Sequence, residues 1–508
     1  MGRRLILTLL LLVISVATLS AQSSARERRR ATRKIEFVLD YLQRNYIDEV
    51  PLDTLVEAAL VAMFDKLDPH SRYLPPEEMH KMYRVLNSQF AGVGISLMQH
   101  HDTLVVRRVV EGSPAQRAGL MYGDRVTSIN NRSTVGMHRD SAILLLQGEA
   151  VTSLHLEVER RSDNAQLGFD VVRDFVPSPS IGSALMLNDT TAYVRINNFA
   201  RSTPQDLRVA LAELQGFKYL IIDLRGNTGG LLPSVVNICG MFLQSNALIV
   251  TTEGRAEPTH EYRTKYAGEY SDIPLTILID EHTASASEIF AGAMQDNDRA
   301  VVIGRTSYGK GLVQRLINIG DDCGIAVTRA RYKTPSGRTI QRPYTKGDKR
   351  GYHNDSMRYN HPDSIRRDRG EVFYTLNEHR EVYGGGGITP DIYIAEEMID
   401  TTSYRGRALK QNVVSEVVVD IFDREGYTNF MSHYPTFEMF ATRFILDDAS
   451  RSIIEYTMAG SEATDADREW LCDMIRARIA YDIYGEEAYI DIYKMYDEPL
   501  IQALYLHK

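Results

Sequence analysis

The chain has few cysteines for its length and shows none of the common metal-binding spacings. Its 508 residues include three cysteines, Cys239, Cys323 and Cys472. Three thiols cannot all pair within one chain, and no two of them have the CxxC spacing of a redox or zinc motif. No HExxH or comparable ligand pattern is present either. We therefore expect a protein without a disulfide framework and without a metal or organic cofactor.

The sequence also lacks the excess of positive charge that nucleic-acid-binding proteins carry. Acidic residues outnumber basic residues by 67 to 58, and the net charge is -9 at neutral pH. Hydrophobic residues make up 44% and charged residues 25% of the chain, which is ordinary for a soluble globular protein. We therefore expect a globular protein with no nucleic-acid partner.

An apolar run at residues 5–19 is short for a membrane-spanning helix. It follows a basic pair at residues 3–4 and precedes small residues at 20–22, which is the order of a secretory signal peptide. No cysteine lies near this boundary, which argues against a lipoprotein anchor. We therefore interpret residues 1–21 as a signal peptide. We expect an exported protein, in the periplasm or cell envelope, that contacts the membrane only if the signal stays uncleaved.

The length allows three or four domains, and the residue pattern changes at several points along the chain. Residues 30–87 show helical spacing of apolar residues, residues 174–395 alternate between strand and helix patterns, and residues 396–508 are helical again. Within the alternating region the pattern predicts strands at 191–196 and 247–251 and a helix at 232–242. In the first of these regions His70 follows Asp-Pro, and we interpret it as a capping or packing residue. We expect no chemistry in that region.

The sequence does not decide the roles of two further segments. The polar stretch at residues 346–371 interrupts the α/β region, and we expect a partly disordered surface insertion there. Its basic character leaves open a contact with an acidic partner or a neighbouring subunit. The C-terminal helical region, residues 396–508, could serve for packing, for homo-oligomer formation or for adaptor binding. These alternatives stay open.

Residues 88–173 carry the pattern of a small β-rich domain. Strand-like alternation at 103–106 and 154–158 encloses the segments EGSPAQRAGL (111–120) and GDRVTSIN (123–130). These segments resemble a PDZ domain. PDZ domains bind a peptide C-terminus as an added strand, and backbone amides of a glycine-rich loop hold its carboxylate. The resemblance implies that this loop is formed here by Gly92, Val93, Gly94 and Ile95.

The neighbouring histidines His100 and His101 could form a pH-sensitive or metal-binding pair. Adjacent residues of a strand face opposite sides of a sheet, so we expect these two side chains to point apart. We therefore interpret them as solvated surface residues and place no metal site here.

The stretch at residues 274–314 has the pattern of a strand, a tight turn and a helix. The apolar run at 275–279 predicts a buried strand, and the following turn presents Ser285 beside the free amides of a helix N-terminus. A second predicted strand at 300–303 leads to Lys310, which has a glycine on each side. A serine nucleophile with a lysine base is the simplest interpretation.

A second turn of the same kind lies upstream. The run KYLIIDL (218–224) predicts a buried strand that ends in a glycine-rich turn, RGNTGG (225–230). Alternation of strands and helices favours parallel pairing, which places both turns at one edge of the sheet. Backbone amides from the Gly229-Gly230 turn and the Ser285-Ala286 turn could then converge and form an oxyanion hole.

Lysine acts as a general base only when its amine is neutral, and burial lowers its pKa in that direction. Gln314 lies four residues beyond Lys310 and could hold the amine. From the residues alone, Ser287 is an equal candidate for the nucleophile, because both hydroxyls lie in one turn. Residues 304–310 also fit the GxxxxGK outline of a phosphate-binding loop. Gly311 stands where that loop needs Ser or Thr for magnesium, which argues against nucleotide binding.

Three segments together resemble the carboxyl-terminal processing peptidases, also called tail-specific proteases. They are DLRGNTGG (223–230), the run from TASASE to GKGLVQ (283–314) and TPSGRTIQ (334–341). LDPHSRYLPPEE (67–78) and GGGGITPDI (384–392) match as well, in the same order along the chain. The resemblance implies an α/β fold, with a ClpP/crotonase-like peptidase core, an inserted PDZ domain and helical N- and C-terminal regions.

The resemblance also assigns roles to residues of this chain. It implies Ser285 as the nucleophile, Lys310 as its base and Gln314 as the residue that orients the base, with the oxyanion hole formed by the amides of Gly230 and Ala286. It further implies an exported serine endopeptidase that cleaves proteins with free, unstructured C-termini, and a PDZ domain that binds the substrate tail and gates activity. The alternative is a non-catalytic PDZ scaffold that binds C-terminal peptides.

Overall fold

The computed structural model describes residues 25–87, 89–354, 371–397 and 399–507. The predicted signal peptide lies outside the described residues, and so does most of the predicted insertion at 346–371. Within the described ranges, no helix combines the length and the apolar character that crossing a membrane requires.

The N-terminal region consists of helices and one short strand that joins the α/β core, residues 174–395. The elements are α1 (25–45), α2 (Leu52–Phe64), β1 (Arg72–Leu74) and α3 (Pro76–Asn87). Proline stands at the start of α3 and acidic residues fill its first turn, both of which favour a helix N-terminus. β1 pairs antiparallel with residues 324–326, and Leu74 and Met79 are buried there against Ala326. The turn before β1 is therefore fixed to the core.

The next region is the PDZ-like module. Its elements are β2 (Gln89–Gly92), β3 (Ile95–His100), β4 (Thr103–Val109), α4 (Pro114–Ala118), β5 (Arg125–Ile129), β6 (Arg132–Ser133), α5 (Arg139–Leu146), β7 (Ser153–Arg160), β8 (Ala165–Val172) and β9 (Asp174–Pro177). The sheet order is β3-β4-β5-β7-β8, with β6 paired to β5. β3 is an edge strand, so one of its sides is open to an added strand. β2 and β9 pair with each other where the chain enters and leaves the module.

Helix α4 illustrates how local sequence sets an element of this module. Ser113 precedes it, and the serine side chain accepts a hydrogen bond from the Gln116 amide. Pro114 occupies the first helical position, and Gly119 ends the helix with a φ of 95°. This is a capped helix with proline at its start and a left-handed glycine at its end, as the segment at 111–120 predicts.

The α/β core contains a six-stranded sheet and a second, five-stranded sheet. The strand order of the first is β10-β11-β12-β15-β16-β21, and that of the second is β1-β18-β13-β14, with β17 paired to β18. The core elements are β10 (Ile181–Met186), β11 (Thr191–Ile196), α6 (Thr203–Glu213), β12 (Tyr219–Asp223), α7 (Leu232–Phe242), β13 (Leu248–Glu253), β14 (His260–Arg263), β15 (Leu275–Ile279), α8 (Ala286–Asp296), β16 (Ala300–Gly304), β17 (Leu312–Gly320), β18 (Cys323–Lys333), α9 (Lys349–Asn354), β19 (Val372–Tyr374), β20 (Glu381–Tyr383) and β21 (Ile392–Tyr393).

Parallel pairing, predicted from the alternation of strands and helices, is confirmed from β11 to β21. The expectation is wrong for the predicted strand at 247–251. It forms β13, which lies in the second sheet and pairs antiparallel with β14 and β18. Only residues 254–259 separate β13 from β14, and so short a connection forms an antiparallel hairpin rather than a crossover.

The C-terminal region is helical. It contains α10 (Tyr404–Lys410), α11 (Val413–Glu425), α12 (Tyr427–His433), α13 (Phe437–Arg443), α14 (Asp448–Thr457), α15 (Asp465–Ile483), α16 (Glu486–Tyr493) and α17 (Glu498–Tyr505). Ile490 of α16 and Leu500 of α17 pack against the six-stranded sheet. The opposite face of that sheet packs against α6, α7 and α8. Both faces are covered, which explains why its strands read as continuous apolar runs.

The same C-terminal region also contacts the PDZ-like module. Arg125 of β5 donates to both carboxylate oxygens of Asp423 on α11, and the guanidinium is buried. The Tyr122 ring packs against that of Phe422 in a tilted arrangement, with ring centroids 4.3 Å apart. The C-terminal helices therefore bridge the module and the core.

Candidate active site

Two turns that leave the carboxyl ends of neighbouring parallel strands meet at one edge of the sheet. β12 ends at Asp223 and β15 at Ile279. The Ala284 amide donates to the Asn227 carbonyl over 3.0 Å, and the Thr283 hydroxyl donates to the Leu224 carbonyl over 2.9 Å. The structure therefore brings the two sequence-predicted turns together.

Ser285 has an unusual backbone conformation. Its φ is 59° and its ψ is −115°, a region that non-glycine residues rarely adopt. A Cβ placed on Gly229 would lie 2.8 Å from the Ser285 Cβ and 2.9 Å from the Ala286 amide nitrogen. Only glycine at position 229 permits this approach. A strained serine at a strand-to-helix turn is the arrangement by which nucleophile elbows present a hydroxyl.

The two serines of this turn differ in their surroundings. The Ser287 hydroxyl donates to the Asn227 carbonyl over 3.0 Å, and the residue is fully buried. Ser285 is partly exposed, and it precedes the first residue of α8. The geometry thus favours Ser285 over Ser287 as a hydroxyl that a substrate could reach.

The amides of Gly230 and Ala286 face no acceptor among the described residues. The neighbouring groups of Gly230 are fixed, because the Phe199 amide donates to the Gly229 carbonyl and the Leu231 amide donates to the Phe199 carbonyl. A backbone amide without an internal partner is available to a ligand. Both predicted oxyanion donors meet this condition.

Lys310 lies in the loop between β16 and β17, and its amine is largely buried. The Nζ atom donates to Gln314 Oε1 over 2.8 Å. Burial lowers the pKa of Lys310 to about 8, with help from the charge of Arg72, while the carboxylates of Glu288 and Asp68 act in the opposite direction. A strand rather than a helix follows Lys310, which is incompatible with a phosphate-binding loop.

Glu288 connects the serine turn to the lysine loop, and our sequence reasoning missed it. Its buried carboxylate accepts hydrogen bonds from the amides of Ser285 (2.8 Å), Lys310 (2.9 Å) and Gly309 (2.7 Å). Burial raises the pKa of Glu288, and these hydrogen bonds, with one from Ser307, counteract the rise. The Ser-x-x-Glu spacing at 285–288 is a capping-box pattern and could have revealed it.

Tyr332 makes a second connection between the same two elements. Its hydroxyl lies 2.6 Å from the Lys310 carbonyl oxygen and 3.2 Å from the Ser285 carbonyl oxygen. The residue is buried, and burial raises its pKa well above the usual value. No local pattern in the sequence points to this tyrosine, because its partners are 22 and 47 residues away.

Gln314 contacts a residue that we had placed in a region without chemistry. Its Nε2 donates to the backbone carbonyl of His70. Asp68 holds this turn, because its carboxylate accepts from the Ser71 hydroxyl (2.6 Å) and from the Thr328 hydroxyl (2.9 Å). The expectation of a chemically silent N-terminal region is wrong, since the turn supplies a backbone contact to the site.

The predicted insertion begins on the surface, with residues 346–348 and 350–351 exposed, but it places Tyr352 in the interior beside the His70 turn. Tyr352 of α9 is 4% exposed, so the expectation of a surface segment is wrong at this position. Its hydroxyl lies 3.0 Å from His70 Nε2, and its ring stacks on the guanidinium of Arg342 at 4.2 Å. The packing interpretation of the His70 side chain agrees with this contact.

The predicted peptide-binding loop, Gly92 to Ile95, lies directly before the edge strand β3. Gly94 has a φ of 83°, and a Cβ there would lie 2.2 Å from the Ser113 Cβ, so the loop requires glycine. Within the described residues, no hydrogen bond or ion pair joins this loop to Ser285 or Lys310. Peptide binding and bond cleavage would therefore occur at separate places.

The expectation that the side chains of His100 and His101 point apart is wrong, and His100 is not solvated, whereas His101 is exposed as expected. The strand ends at His100, and His101 has a φ of 52°, so the alternation of a strand does not apply. The two rings lie 4.3 Å apart, and both approach Glu416 of α11.

Comparison with known proteins decides the family. Residues 190–349 match the model for peptidase family S41, and residues 105–160 match the model for a PDZ domain. A probable CtpA-like serine protease of Staphylococcus epidermidis is 30% identical over 342 residues, which is 66% of this chain and 69% of that protein. The chain belongs to peptidase family S41. The expected fold, an S41 peptidase core with a PDZ domain, is confirmed.

Other members of the family give the same assignment. The carboxy-terminal processing protease CtpB of Bacillus subtilis is 30% identical to this S41 chain over 331 residues, 64% of the chain and 68% of CtpB. Among solved structures, the photosystem II D1 C-terminal processing protease is 25% identical and has a TM-score of 0.38. That match covers 72% of this chain and 88% of the other. The two sequence relatives show that the chain is a member of the carboxyl-terminal processing serine peptidases.

Proposed function

We propose that this S41 chain is an exported serine endopeptidase that uses Ser285 as nucleophile and Lys310 as general base. One observation carries the proposal. The Lys310 amine is buried and hydrogen-bonded to Gln314. The backbone amides of Lys310 and Ser285 both donate to the carboxylate of Glu288, which holds the two residues near each other. A lysine with a pKa near 8 is neutral often enough near neutral pH to accept a proton.

The chemical steps use groups that this chain supplies. Neutral Lys310 takes the hydroxyl proton as Ser285 Oγ attacks the substrate carbonyl carbon, and the resulting oxyanion lies against the amides of Gly230 and Ala286. The intermediate collapses by breaking the C–N bond, and the Lys310 ammonium returns its proton to the leaving amine. Water then attacks the acyl ester while Lys310 accepts a proton from it. The C–Oγ bond breaks, the carboxylic acid product leaves, and the proton passes from Lys310 to Ser285 Oγ, which regenerates the free enzyme.

Gln314 has a positioning role in this scheme. Its side-chain oxygen accepts from Nζ, and its side-chain nitrogen is fixed by the His70 carbonyl. A glutamine held at both ends keeps the amine in one direction without adding a charge. A neutral partner is needed, because a carboxylate would favour the ammonium form.

We further propose that the PDZ-like module receives the substrate C-terminus. The tail would add to the open edge of β3, with its carboxylate at Gly92 to Ile95. The module joins the core through the paired strands β2 and β9, so tail binding can alter its placement and gate cleavage. In this scheme the domains are a signal peptide (1–21), an N-terminal helical region (30–87), a PDZ domain (88–173), a peptidase core (174–395) and a C-terminal helical domain (396–508).

The catalytic assignment is tested by site-specific labelling and cleavage. Wild-type protein should cleave an unfolded reporter protein and react with a serine-directed covalent probe at Ser285, as located by mass spectrometry. Ser285→Ala should abolish both reactions, and Lys310→Ala should reduce them by at least about a hundredfold, as expected for loss of a general base. Circular dichroism should show both variants folded.

Ser287→Ala is the matched control, since this serine lies two residues away and is buried. The Ser287→Ala variant should still be labelled at Ser285 by the covalent probe. Full residual activity in Ser285→Ala or Lys310→Ala would overturn the assignment. Binding of C-terminal peptides without any labelling or cleavage would instead favour the non-catalytic scaffold.

The proposal that the PDZ-like module binds the substrate C-terminus and the proposal that the protein is exported have separate tests. Removal of the last few residues of the reporter should slow its cleavage, whereas equal rates with and without them would contradict a role for the PDZ module. N-terminal sequencing of the protein from its native host should begin near residue 22. An intact N-terminus on a cytoplasmic protein would contradict export.

A further inference from the structure

Two histidines and a glutamate converge where the PDZ-like module contacts the C-terminal helices. His100 Nε2 lies 3.1 Å from Glu416 Oε2, and His101 Nε2 lies 3.6 Å from the same oxygen. One ligand atom from each of the three side chains falls within 4.8 Å of the others. Their sequence separation, 316 residues between His100 and Glu416, hides the cluster from any motif search.

The backbone of the β3–β4 turn produces this convergence. The strand ends at His100, and His101 adopts a left-handed conformation that turns its ring toward the same side. The Asp102 carbonyl accepts from the Gly136 amide over 2.7 Å, and the His101 carbonyl accepts from the Gln99 side chain over 3.0 Å. The turn is therefore held by contacts that do not use the imidazole rings.

We propose that His100, His101 and Glu416 form a binding site for a divalent transition metal, with zinc as the best match. Two imidazole nitrogens and one carboxylate oxygen are a common zinc ligand set, and water or another ligand fills the fourth position. Tetrahedral zinc with ligands about 2.1 Å away needs ligand atoms about 3.4 Å apart. The distances from both histidines to Glu416 bracket this value.

The exposure of the three side chains defines the kind of site. His100 is 13% exposed and Glu416 is 29% exposed, whereas His101 is 71% exposed. One side of the cluster thus opens to solvent, which leaves room for a water ligand and lets the ion exchange. The site binds metal reversibly and is not required for folding.

The location gives the metal a structural consequence. His100 and His101 belong to the module and Glu416 to α11, so a bound ion links the two regions directly. The neighbouring contact, in which Met98 and Val105 pack on Val419, is small and apolar. A metal ion adds a directional link to this contact and holds the module against the C-terminal helices.

The test uses tag-free, full-length protein that has been treated with a chelator and then dialysed. Isothermal titration with zinc should show one site per chain. Titration with cobalt should give the visible absorption of a tetrahedral site with nitrogen and oxygen ligands, without the sulfur-to-metal band that the cysteines would produce. His101→Ala and Glu416→Ala should each weaken binding by at least about tenfold.

His155→Ala is the matched control. His155 lies in the same module and contacts the Asp170 carboxylate at 2.7 Å, but among the described residues no third side chain that could ligate a metal joins this pair. The zinc affinity of His155→Ala should equal that of the wild-type protein. Hydrogen exchange should also show zinc-dependent protection of the β3–β4 turn and the start of α11 in wild type and in His155→Ala, but not in His101→Ala.

Three results would overturn the proposal. One is the absence of zinc binding to the wild-type protein. Another is an affinity unchanged by both His101→Ala and Glu416→Ala. The third is a cobalt spectrum dominated by sulfur ligation, which would assign the metal to cysteine.

Discussion

Two segments outside the matched range 190–349 reach the candidate site from opposite ends of the chain. The N-terminal turn, residues 68–71, contacts the lysine side of the site through the His70 carbonyl. The C-terminal fork is the contact in which Asp497, just before α17, accepts two hydrogen bonds from Arg225, over 2.8 and 2.7 Å. Arg225 starts the glycine-rich turn that carries the Gly230 amide.

The two segments use different chemistry. The N-terminal turn presents a backbone carbonyl, which any residue at position 70 would supply as long as the turn keeps its shape. The C-terminal fork depends on the charges of particular side chains, Arg225 and Asp497. Backbone contacts tolerate substitution but need a rigid turn, whereas charge contacts fail with a single substitution. The proposed base and the proposed oxyanion amide of Gly230 are therefore supported in different ways.

The largest effect is expected from Arg225→Ala. Arg225 also donates to the fully buried Asp223, at 2.6 Å, and its removal leaves that carboxylate without its ion-pair partner. We expect a loss of about 3–5 kcal/mol in the free energy of unfolding, measured by urea denaturation, together with loss of peptidase activity.

Arg424→Ala is the control for that substitution. Arg424 also bridges two carboxylates, Asp420 and Asp447, but its side chain is 35% exposed. We expect a change of at most about 1 kcal/mol. If Arg225→Ala and Arg424→Ala lost equal amounts of unfolding free energy, the buried C-terminal fork would be no more stabilising than the exposed ion pairs of Arg424.

A smaller effect is expected when the N-terminal turn is loosened by Asp68→Ala. The carboxylate holds the amides of His70 and Ser71 as well as two hydroxyls. Their loss should cost about 2 kcal/mol of unfolding free energy and should lower kcat more than it raises KM, because Gln314 loses its fixed partner. Asp48→Asn, at an exposed carboxylate of the N-terminal region that has no hydrogen bond or ion pair among the described residues, should change neither quantity. An unchanged kcat in Asp68→Ala would show that the N-terminal turn does not contribute to catalysis.

The charge state of Lys310 can be tested by the pH dependence of kcat/KM. Protonated Lys310 cannot act as a base, so activity should rise with pH through an apparent pKa of about 8. Gln314→Glu places a carboxylate beside Nζ, which favours the ammonium and moves the profile to higher pH. At pH values below the pKa of Lys310, each unit by which that pKa rises lowers the activity by about tenfold.

Gln205→Glu adds the same charge at an exposed position of α6 and is the control. Its pH profile should match that of wild type. A Gln314→Glu profile that coincides with both would contradict the proposed contact between Gln314 and the base.

The smallest effect is expected for Asp497→Asn. Asparagine still caps α17, where Asp497 accepts from the Leu500 amide, and Arg225 keeps its pairing with Asp223. We expect a loss of about 1 kcal/mol, measured by urea denaturation, and a fall of a few-fold in kcat. Asp497→Glu should restore part of the activity. If Asp497→Asn lowered activity as much as Arg225→Ala, the C-terminal fork itself would hold the oxyanion turn.

Local pattern was sufficient to predict the elements that carry the site. The strands at 191–196 and 275–279 and the helix at 232–242 have the predicted bounds. Their signals are local, since apolar runs bounded by turns or helical spacing need no knowledge of the partner. The glycine-rich turn at 225–230 and the serine turn that follows β15 could also be predicted to meet, because parallel strands present their carboxyl ends at one edge.

The supporting contacts could not be predicted in the same way. His70 acts through its carbonyl, which has no signature in the sequence, and its partner Gln314 is 244 residues away. The pairing of Asp497 with Arg225 spans 272 residues. β13 was assigned to the wrong sheet because strand pattern does not identify the neighbour. Glu288 is different, since its capping-box spacing was present and was overlooked.

The positive φ of Ser285 has a consequence for how this chain tolerates change. A non-glycine residue in that conformation costs about 1–3 kcal/mol, and alanine at position 285 would carry the same cost. Ser285→Gly should therefore be inactive and yet more stable than Ser285→Ala by up to about 1 kcal/mol. Selection for folding stability alone would favour glycine at this position. Serine persists there only under selection for its hydroxyl, so a drift to glycine among relatives would mark chains that have lost peptidase activity.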